Sequence, residues 1–183
     1  MSYINDNRQK FEDLNSNIEN QDQLKKLANG GNSILFSYPP NDEQLYIAQA
    51  KELYQDKACF IDISQLFVQF IDQDGWEPFK QYYKELRLSS HKVFKSGDDP
   101  SIDLFDLIIH EIKQASDNNK IPFLVRTGCL YGTGIENVNI MEHKTIMSLK
   151  LPLVLFYPSR IEDDNLYFLN FKNASKYRCI LVK

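Results

Sequence analysis

Unbroken apolar runs of strand length are the clearest pattern in this chain, and two of them end in Tyr-Pro. Residues 151–158 read LPLVLFYP, and residues 34–39 read ILFSYP. A short continuous run of this kind is typical of a strand buried on both faces, and we expect Pro158 to end the first one. The pattern predicts two neighbouring central strands whose carboxyl ends share one edge, where binding sites gather in open α/β sheets.

Segments with helical periodicity separate the apolar runs along the rest of the chain. The predicted strands are residues 33–38, 58–63, 122–127 and 151–158, and the predicted helices are residues 6–27, 41–54, 65–71, 76–88, 99–117 and 139–149. Two last strands, at 166–171 and 177–182, are expected to form a C-terminal β-hairpin on the sheet edge. Because helices separate the strands, the predicted fold is α/β, with three layers and a mostly parallel sheet that carries helices on both faces.

One domain is predicted to span residues 1–183, because this length supports a single full core and we find no repeat or linker. Residues 1–30 hold the N-terminal helix in this division. The less regular stretch at 72–99, which contains a glycine break, is a candidate helical insertion.

Two finer predictions concern single helices. The spacing in the helix at 41–54 places Leu45, Ala48 and Leu53 on its inward face. Asp99 and Pro100 are expected to begin a later helix, as the N-cap and the first helical residue.

The composition excludes disorder as the default and argues against broad, sequence-independent nucleic-acid binding. Hydrophobic residues make up 43% of the chain, aromatic residues 13%, and the formal net charge is −4. Such a chain lacks the wide basic face that neutralises phosphates, although a local basic patch stays open. The N-terminus shows no export signal, no apolar run is long enough for a membrane span, and the three cysteines lack CxxC spacing. We therefore expect a cytoplasmic protein with buried thiols.

A phosphate loop is not supported by the residues that follow the glycines or the first strand. The chain leaves the strand at 33–38 through Pro39 and Pro40, and proline offers no amide donor to a phosphate. The glycines at 30–31 and 128–134 have neither Walker nor GxGxxG spacing. We interpret them as turn glycines.

Metal, nucleophile and acid–base sites are weakly indicated as well. Cys129, His143 and Cys179 could meet in three dimensions, but their spacing does not support a metal site. Asp62 ends a predicted strand, where a carboxylate can hold a metal or a water, cap the next helix, or pair with Arg126. A single carboxylate favours the structural roles.

An aromatic and basic segment is the most balanced of these alternatives. It contains the aromatic residues Trp76, Tyr82, Tyr83 and Phe94 and the basic residues Lys80, Lys84, Arg87, Lys92 and Lys95. The aromatic side chains could stack on bases or form an interface core. The favoured interpretation is that the helix packs its aromatic face on the sheet while the lysines face water.

A family resemblance emerges from motifs spread over residues 33–183. The motif residues are Tyr38, Pro39, Pro40, Asp62, Ile63, His143, Ile146, Leu149, Phe156, Tyr157, Pro158, Leu166, Phe168, Tyr177 and Arg178. Together they resemble the BrxB family of bacterial BREX phage-exclusion systems. Ser159 and Lys176 depart from the family pattern, so the chain is similar to a divergent member.

The resemblance implies a non-enzymatic accessory subunit of a BREX anti-phage complex, without catalytic residues, cofactor or metal. It implies binding to a PglZ-like phosphatase-family protein and to other BREX subunits, and through them an indirect association with DNA. The strand order also resembles a P-loop ATPase core that lacks the Walker A loop. The alternative is a nucleotide-binding or hydrolytic α/β domain with its site at the carboxyl edge, near Tyr38, Asp62 and Gly128. A third hypothesis is direct DNA contact through residues 80–95.

The candidate interface or structural motif therefore consists of Tyr38, Asp62, His143, Tyr157, Tyr177 and Arg178. For Arg178 we expect either an internal pair with an acidic residue such as Asp62 or Glu162, or a contact to another protein. The internal pair is favoured, because Tyr177 beside it is expected to anchor the strand by packing.

Overall fold

The computed structural model describes residues 2–96 and 103–183, with side chains from residue 7 onward. Its strands are β1 (Ser33–Tyr38), β2 (Ala58–Asp62), β3 (Ile121–Val125), β4 (Leu153–Glu162), β5 (Asn165–Phe168), β6 (Lys172–Ala174) and β7 (Cys179–Val182). Its helices are α1 (Ser2–Glu19), α2 (Gln21–Leu27), α3 (Glu43–Tyr54), α4 (Ile63–Asp74), α5 (Trp76–Glu85), α6 (His91–Phe94), α7 (Leu104–Asp117), α8 (Asn137–Met141) and α9 (Lys144–Met147). Short 3-10 helices lie at Pro40–Asp42, Arg87–Ser89 and Thr127–Leu130.

One mixed sheet organises the chain, with the main order β2-β3-β4-β1-β7. These five strands pair in parallel, and the register sets Phe36 opposite Phe156 in the β1–β4 pair. Beyond the parallel part, β4 pairs antiparallel with β5, which pairs antiparallel with β6. The α/β class is confirmed, and the sheet is only partly parallel.

Two apolar cores cover the two faces of this sheet. Helices α1, α2 and α3 pack on one face, against side chains that include Phe36, Phe123 and Phe156. Helices α4, α6, α7, α8 and α9 pack on the other face, against Leu35, Leu124 and Leu155 among others. Adjacent strand residues alternate between these cores, because successive side chains of a strand point to opposite faces. This arrangement gives the three layers expected for such a sequence.

Pro158 does not end its strand, which corrects the first prediction. β4 runs on to Glu162, and Ser159 lies opposite Phe168 in the antiparallel pair. The Pro158 carbonyl accepts a hydrogen bond from the Leu169 amide at 2.8 Å. Proline is tolerated because the parallel pairing ends at this residue and the antiparallel pairing begins beyond it.

The predicted C-terminal hairpin between 166–171 and 177–182 is also wrong. Residues 172–174, expected to be its loop, form β6 and pair with β5, while β7 joins β1 in parallel at the far edge of the sheet. The apolar pattern marks both segments as strands. It carries no information about which strand each one joins, because pairing depends on long-range contacts.

Three predictions about helices need correction, and one lies outside the described residues. The predicted helix at 139–149 is the two short helices α8 and α9, separated at Glu142 and His143. The predicted helix at 6–27 is two helices, separated at Asn20. In α3 the residues predicted to face inward, Leu45, Ala48 and Leu53, are all exposed, and Tyr46, Ile47, Ala50 and Tyr54 are buried instead. The start at Asp99 and Pro100 cannot be compared, since neither is described. None of the described helices is long and apolar enough to cross a membrane.

Candidate functional site

The six residues singled out by the sequence lie at two opposite edges of the sheet. The carboxyl edge carries Tyr38, Asp62 and Tyr157, and the amino edge carries His143, Tyr177 and Arg178. Arg178 immediately precedes Cys179, which pairs with Ser33 at the amino end of β1, and it contacts Glu142, the neighbour of His143. The structure therefore divides these residues between two places.

At the carboxyl edge, both carboxylate oxygens of Asp62 have internal partners. Oδ1 accepts hydrogen bonds from the Ser64 amide at 2.9 Å and its hydroxyl at 2.6 Å, which caps α4. Oδ2 forms an ion pair with Arg126 Nε at 3.0 Å. Arg126 itself adopts a left-handed backbone with φ of 58°, a conformation that costs a non-glycine residue energy. Asp62 thus holds the start of α4 against the end of β3, as two of its structural alternatives proposed.

Tyr38 and Tyr157 are core residues at this edge. The Tyr38 hydroxyl donates to Glu43 Oε1 at 2.9 Å, and burial together with the Glu43 carboxylate raises the pKa of Tyr38 far above its ordinary value. Tyr157 stacks on Phe168 with ring centroids 4.7 Å apart, and burial raises its pKa as well. Both hydroxyl groups therefore stay protonated at neutral pH. The two rings support the packing of this edge.

Two exposed aromatic residues stand beside these buried ones. Tyr131 follows the 3-10 helix Thr127–Leu130 and Phe171 lies in the turn between β5 and β6, and their exposed fractions are 54% and 61%. Their ring centroids are 5.3 Å apart in an edge-to-face arrangement. Arg126 and Cys129 are exposed in the same segment, and we call these four residues the carboxyl-edge surface.

Both segments that carry the aromatic pair are attached to β4. The Thr127 hydroxyl donates to the Phe156 carbonyl at 2.7 Å, and the Leu169 amide donates to the Pro158 carbonyl. A cavity of about 20 Å³, with room for about one water, lies behind this region and is lined in part by Thr127, Tyr157 and Phe168. The pair is thus held in place by two hydrogen bonds that backbone carbonyls of the buried strand β4 accept.

Neither Tyr131 nor Phe171 is among the site residues predicted from the sequence. Tyr131 lies within the glycine-containing stretch 128–134, and Phe171 was assigned to a strand. The glycine-rich loop around Tyr131 has no helical or strand periodicity that would predict burial of an aromatic ring. An aromatic residue in such a loop is expected to be exposed, and this signal could have identified Tyr131.

At the amino edge, Arg178 forms an internal pair, but with a different partner from the expected ones. Arg178 Nε lies 3.7 Å from Glu142 Oε1, while Asp62 pairs with Arg126 and Glu162 pairs with Arg160. The distance is too long for a good hydrogen bond, so the contact is a loose ion pair.

The other contacts of this edge are also structural. The Arg178 guanidinium lies over the Tyr177 ring, 5.3 Å from its centroid, and Nη1 approaches Met147 Sδ at 3.4 Å. His143 Nδ1 accepts a hydrogen bond from the Thr145 amide at 3.3 Å, which caps α9. Partial burial, assisted by Lys144, lowers the pKa of His143. Tyr177 is exposed, so it does not anchor β7 by burial.

The thiols and histidines do not gather around a metal. Cys129 lies at the carboxyl edge, whereas His143 and Cys179 lie towards the amino edge, so the three-residue cluster considered from the sequence does not form. Cys129 is exposed rather than buried, and burial raises the pKa of Cys179 to about 12. Within the described ranges, no three His, Cys, Asp or Glu side chains are grouped closely enough to hold a metal ion.

A comparison with protein families places most of the chain in one known group. The model of a family described as BREX protein BrxB matches residues 59–182, from the second strand to the last. No significant match was found among curated proteins or solved structures.

Proposed function

Because this chain belongs to the BrxB family, whose members are BREX proteins, we propose that it serves a BREX anti-phage complex as a non-enzymatic, protein-binding subunit. Its direct partner in this proposal is a PglZ-like phosphatase-family protein. The complex works in the cytoplasm, and binding to these partners associates the chain indirectly with DNA.

The carboxyl-edge surface is the observation that carries this proposal. The polar groups of the adjoining edge are engaged within the chain, since Asp62 pairs with Arg126 and Tyr38 donates to Glu43. Tyr131 and Phe171 are more than half exposed although both rings are large and apolar. Tyrosine and phenylalanine are enriched in the cores of protein interfaces, where a few aromatic residues supply most of the binding energy.

Co-purification of the tagged chain with each neighbouring BREX protein tests the proposal. We expect the PglZ-like protein to be retained, and the Tyr131→Ala/Phe171→Ala double variant to weaken its binding. A loss of about 2 kcal/mol, typical of an interface hot spot, corresponds to roughly a thirtyfold higher Kd. Tyr177→Ala removes an exposed tyrosine at the opposite edge and is the matched control, which should bind like the parent. If the tagged chain retains none of the BREX proteins, the proposal is wrong.

The alternative nucleotide-binding or hydrolytic function is distinguished by a direct titration. It would use the edge near Tyr38, Asp62 and Gly128, in a fold similar to a P-loop ATPase core without its phosphate loop. In the structure, the 3-10 helix Pro40–Asp42 follows β1 at the place of such a loop. Saturable micromolar binding of ATP or GTP with Mg²⁺, measured by calorimetry, would favour this alternative over the binding-subunit proposal.

A further inference from the structure

Helix α5 is exposed on much of its surface, and no residue in it is buried. It contacts the rest of the chain through Phe79, whose ring lies 6.1 Å from Phe70 and 6.2 Å from Phe94, and through Tyr83, whose ring also lies 6.2 Å from Phe94. Trp76, Tyr82 and Tyr83 are 58%, 43% and 41% exposed. The helix therefore does not pack its aromatic face on the sheet, and several large rings stay accessible to a ligand.

Within the same segment, positive residues locally exceed negative ones, although Asp72, Asp74, Asp98 and Asp99 flank it in sequence. Residues 76–96 hold five lysine or arginine residues and two glutamates, in a chain of net charge −4. Lys80 pairs with Glu77 at 3.4 Å, and Lys95 lies over the Phe105 ring. The remaining three basic residues, Lys84, Arg87 and Lys92, are exposed and form no ion pair with any described residue.

Exposed basic and aromatic side chains occur together in this region. We call it the basic-aromatic surface, and it consists of Trp76, Tyr82, Tyr83, Lys84, Arg87 and Lys92. Trp76 and Tyr83 are seven residues apart in α5, a spacing that brings helical side chains to the same side, and Arg87 follows in the 3-10 helix Arg87–Ser89. Tyr82 and Lys92 also line a cleft of about 320 Å³ between α4, α5 and α6. Asp74 lines this cleft too, which favours a nucleobase over a phosphate inside it.

We propose that the basic-aromatic surface binds single-stranded nucleic acid directly. Exposed aromatic rings stack on unpaired bases of any sequence, and unpaired lysine and arginine residues neutralise the phosphates between them. A duplex keeps its bases stacked on each other and offers these rings no partner. Nucleic-acid binding goes beyond the partner-binding role proposed above. Because it uses a different surface, each of the two functions can be tested without the other.

The chain contains a single tryptophan, Trp76, and it lies in this surface. Its intrinsic fluorescence therefore reports on the proposed contact without any label. We expect saturable quenching when the full chain is titrated with an oligothymidylate of about 20 nucleotides. If Lys84, Arg87 and Lys92 each neutralise one phosphate, log K falls with log salt at a slope of about −2, so affinity drops roughly twentyfold between about 50 and 200 mM salt.

Charge variants separate this surface from general attraction to the chain. Lys84→Gln with Arg87→Gln should weaken binding and reduce the loss over the same salt range to about threefold, because one phosphate contact remains. Lys25→Gln with Lys26→Gln removes the same charge from two exposed residues of α2 and should leave both quantities unchanged. Tyr83→Ala should weaken binding but keep the salt slope, because stacking releases no counterions.

Three results would overturn the proposal. The first is the absence of quenching and of saturable binding to the oligothymidylate. The second is an equal loss of affinity in the α2 control. The third is a charge variant that binds the oligonucleotide like the parent but no longer retains a BREX subunit, since the surface would then be a protein interface.

Discussion

At the scale of single residues, Gly31 decides how the chain passes from the amino edge into the sheet. A Cβ atom at this position would lie 2.0 Å from the Arg178 carbonyl oxygen and 2.9 Å from that of Ala28. Both obstacles are backbone atoms, which cannot rotate away as the end of a side chain can. Gly31 therefore permits β7 to enter the sheet beside β1, and it places Arg178 near Glu142.

We predict that Gly31→Ala destabilises the protein by about 3 kcal/mol, the upper range for overpacking, because the backbone around Arg178 must move. Urea unfolding followed by circular dichroism measures the change. Gly128→Ala is the matched control, since its Cβ would meet only side-chain atoms, at 3.5 and 3.7 Å. Equal stability of the two variants would contradict the close approach.

At the scale of elements, α5 and α7 differ in what stabilises them. The side chain of Asp103 caps α7 by accepting from the Asp106 amide at 2.8 Å, and seven residues of that helix are buried. Helix α5 has no side-chain cap and no buried residue. Helical stability in proteins comes mostly from burial of an apolar face, so α5 is held less firmly.

Hydrogen exchange should reveal this difference. We predict that amides of residues 76–85 exchange at least about a hundredfold faster than those of 104–117, because α5 can open without unfolding the core. Exchange measured by mass spectrometry on peptides from the two helices tests this. Comparable protection would mean that α5 opens only together with the sheet.

At the scale of the whole molecule, β1 and β4 link the two cores. Phe36 and Phe156 belong to the core under α1–α3, while Leu35 and Leu155 belong to the core on the opposite face. Neither core can lose its packing without exposing strands that the other also uses. The single domain over 1–183 stays a prediction, and this sharing is its physical basis.

Calorimetry checks whether the chain unfolds as one unit. We predict one transition with equal calorimetric and van't Hoff enthalpies, on the order of 130 kcal/mol near 60 °C for a chain of 183 residues. Two resolved transitions would show that the segment at 72–99 or the N-terminal helices form a separate unit.

Local patterns determined much of the fold. The predicted strand at 33–38 coincides with β1, because an unbroken apolar run between glycines and prolines leaves little choice of structure. The local sequence does not show which side of α3 faces the core, because apolar residues occur on more than one side of this helix. Tyr46 faces inward because its ring packs 5.8 Å from Phe36 and 5.4 Å from Tyr38.

Motifs in the sequence also indicate the family. The tertiary structure, by contrast, decided which residues contact each other. The sequence marked β7 as a strand, but only its contacts with β1 placed Arg178 next to Glu142. Likewise, Tyr131 and Phe171 form a pair because Thr127 and Leu169 bind successive parts of β4. Periodicity describes neighbours along the chain, whereas these pairs join residues far apart in sequence. Their formation depends on the packing of the whole sheet, which no single segment encodes.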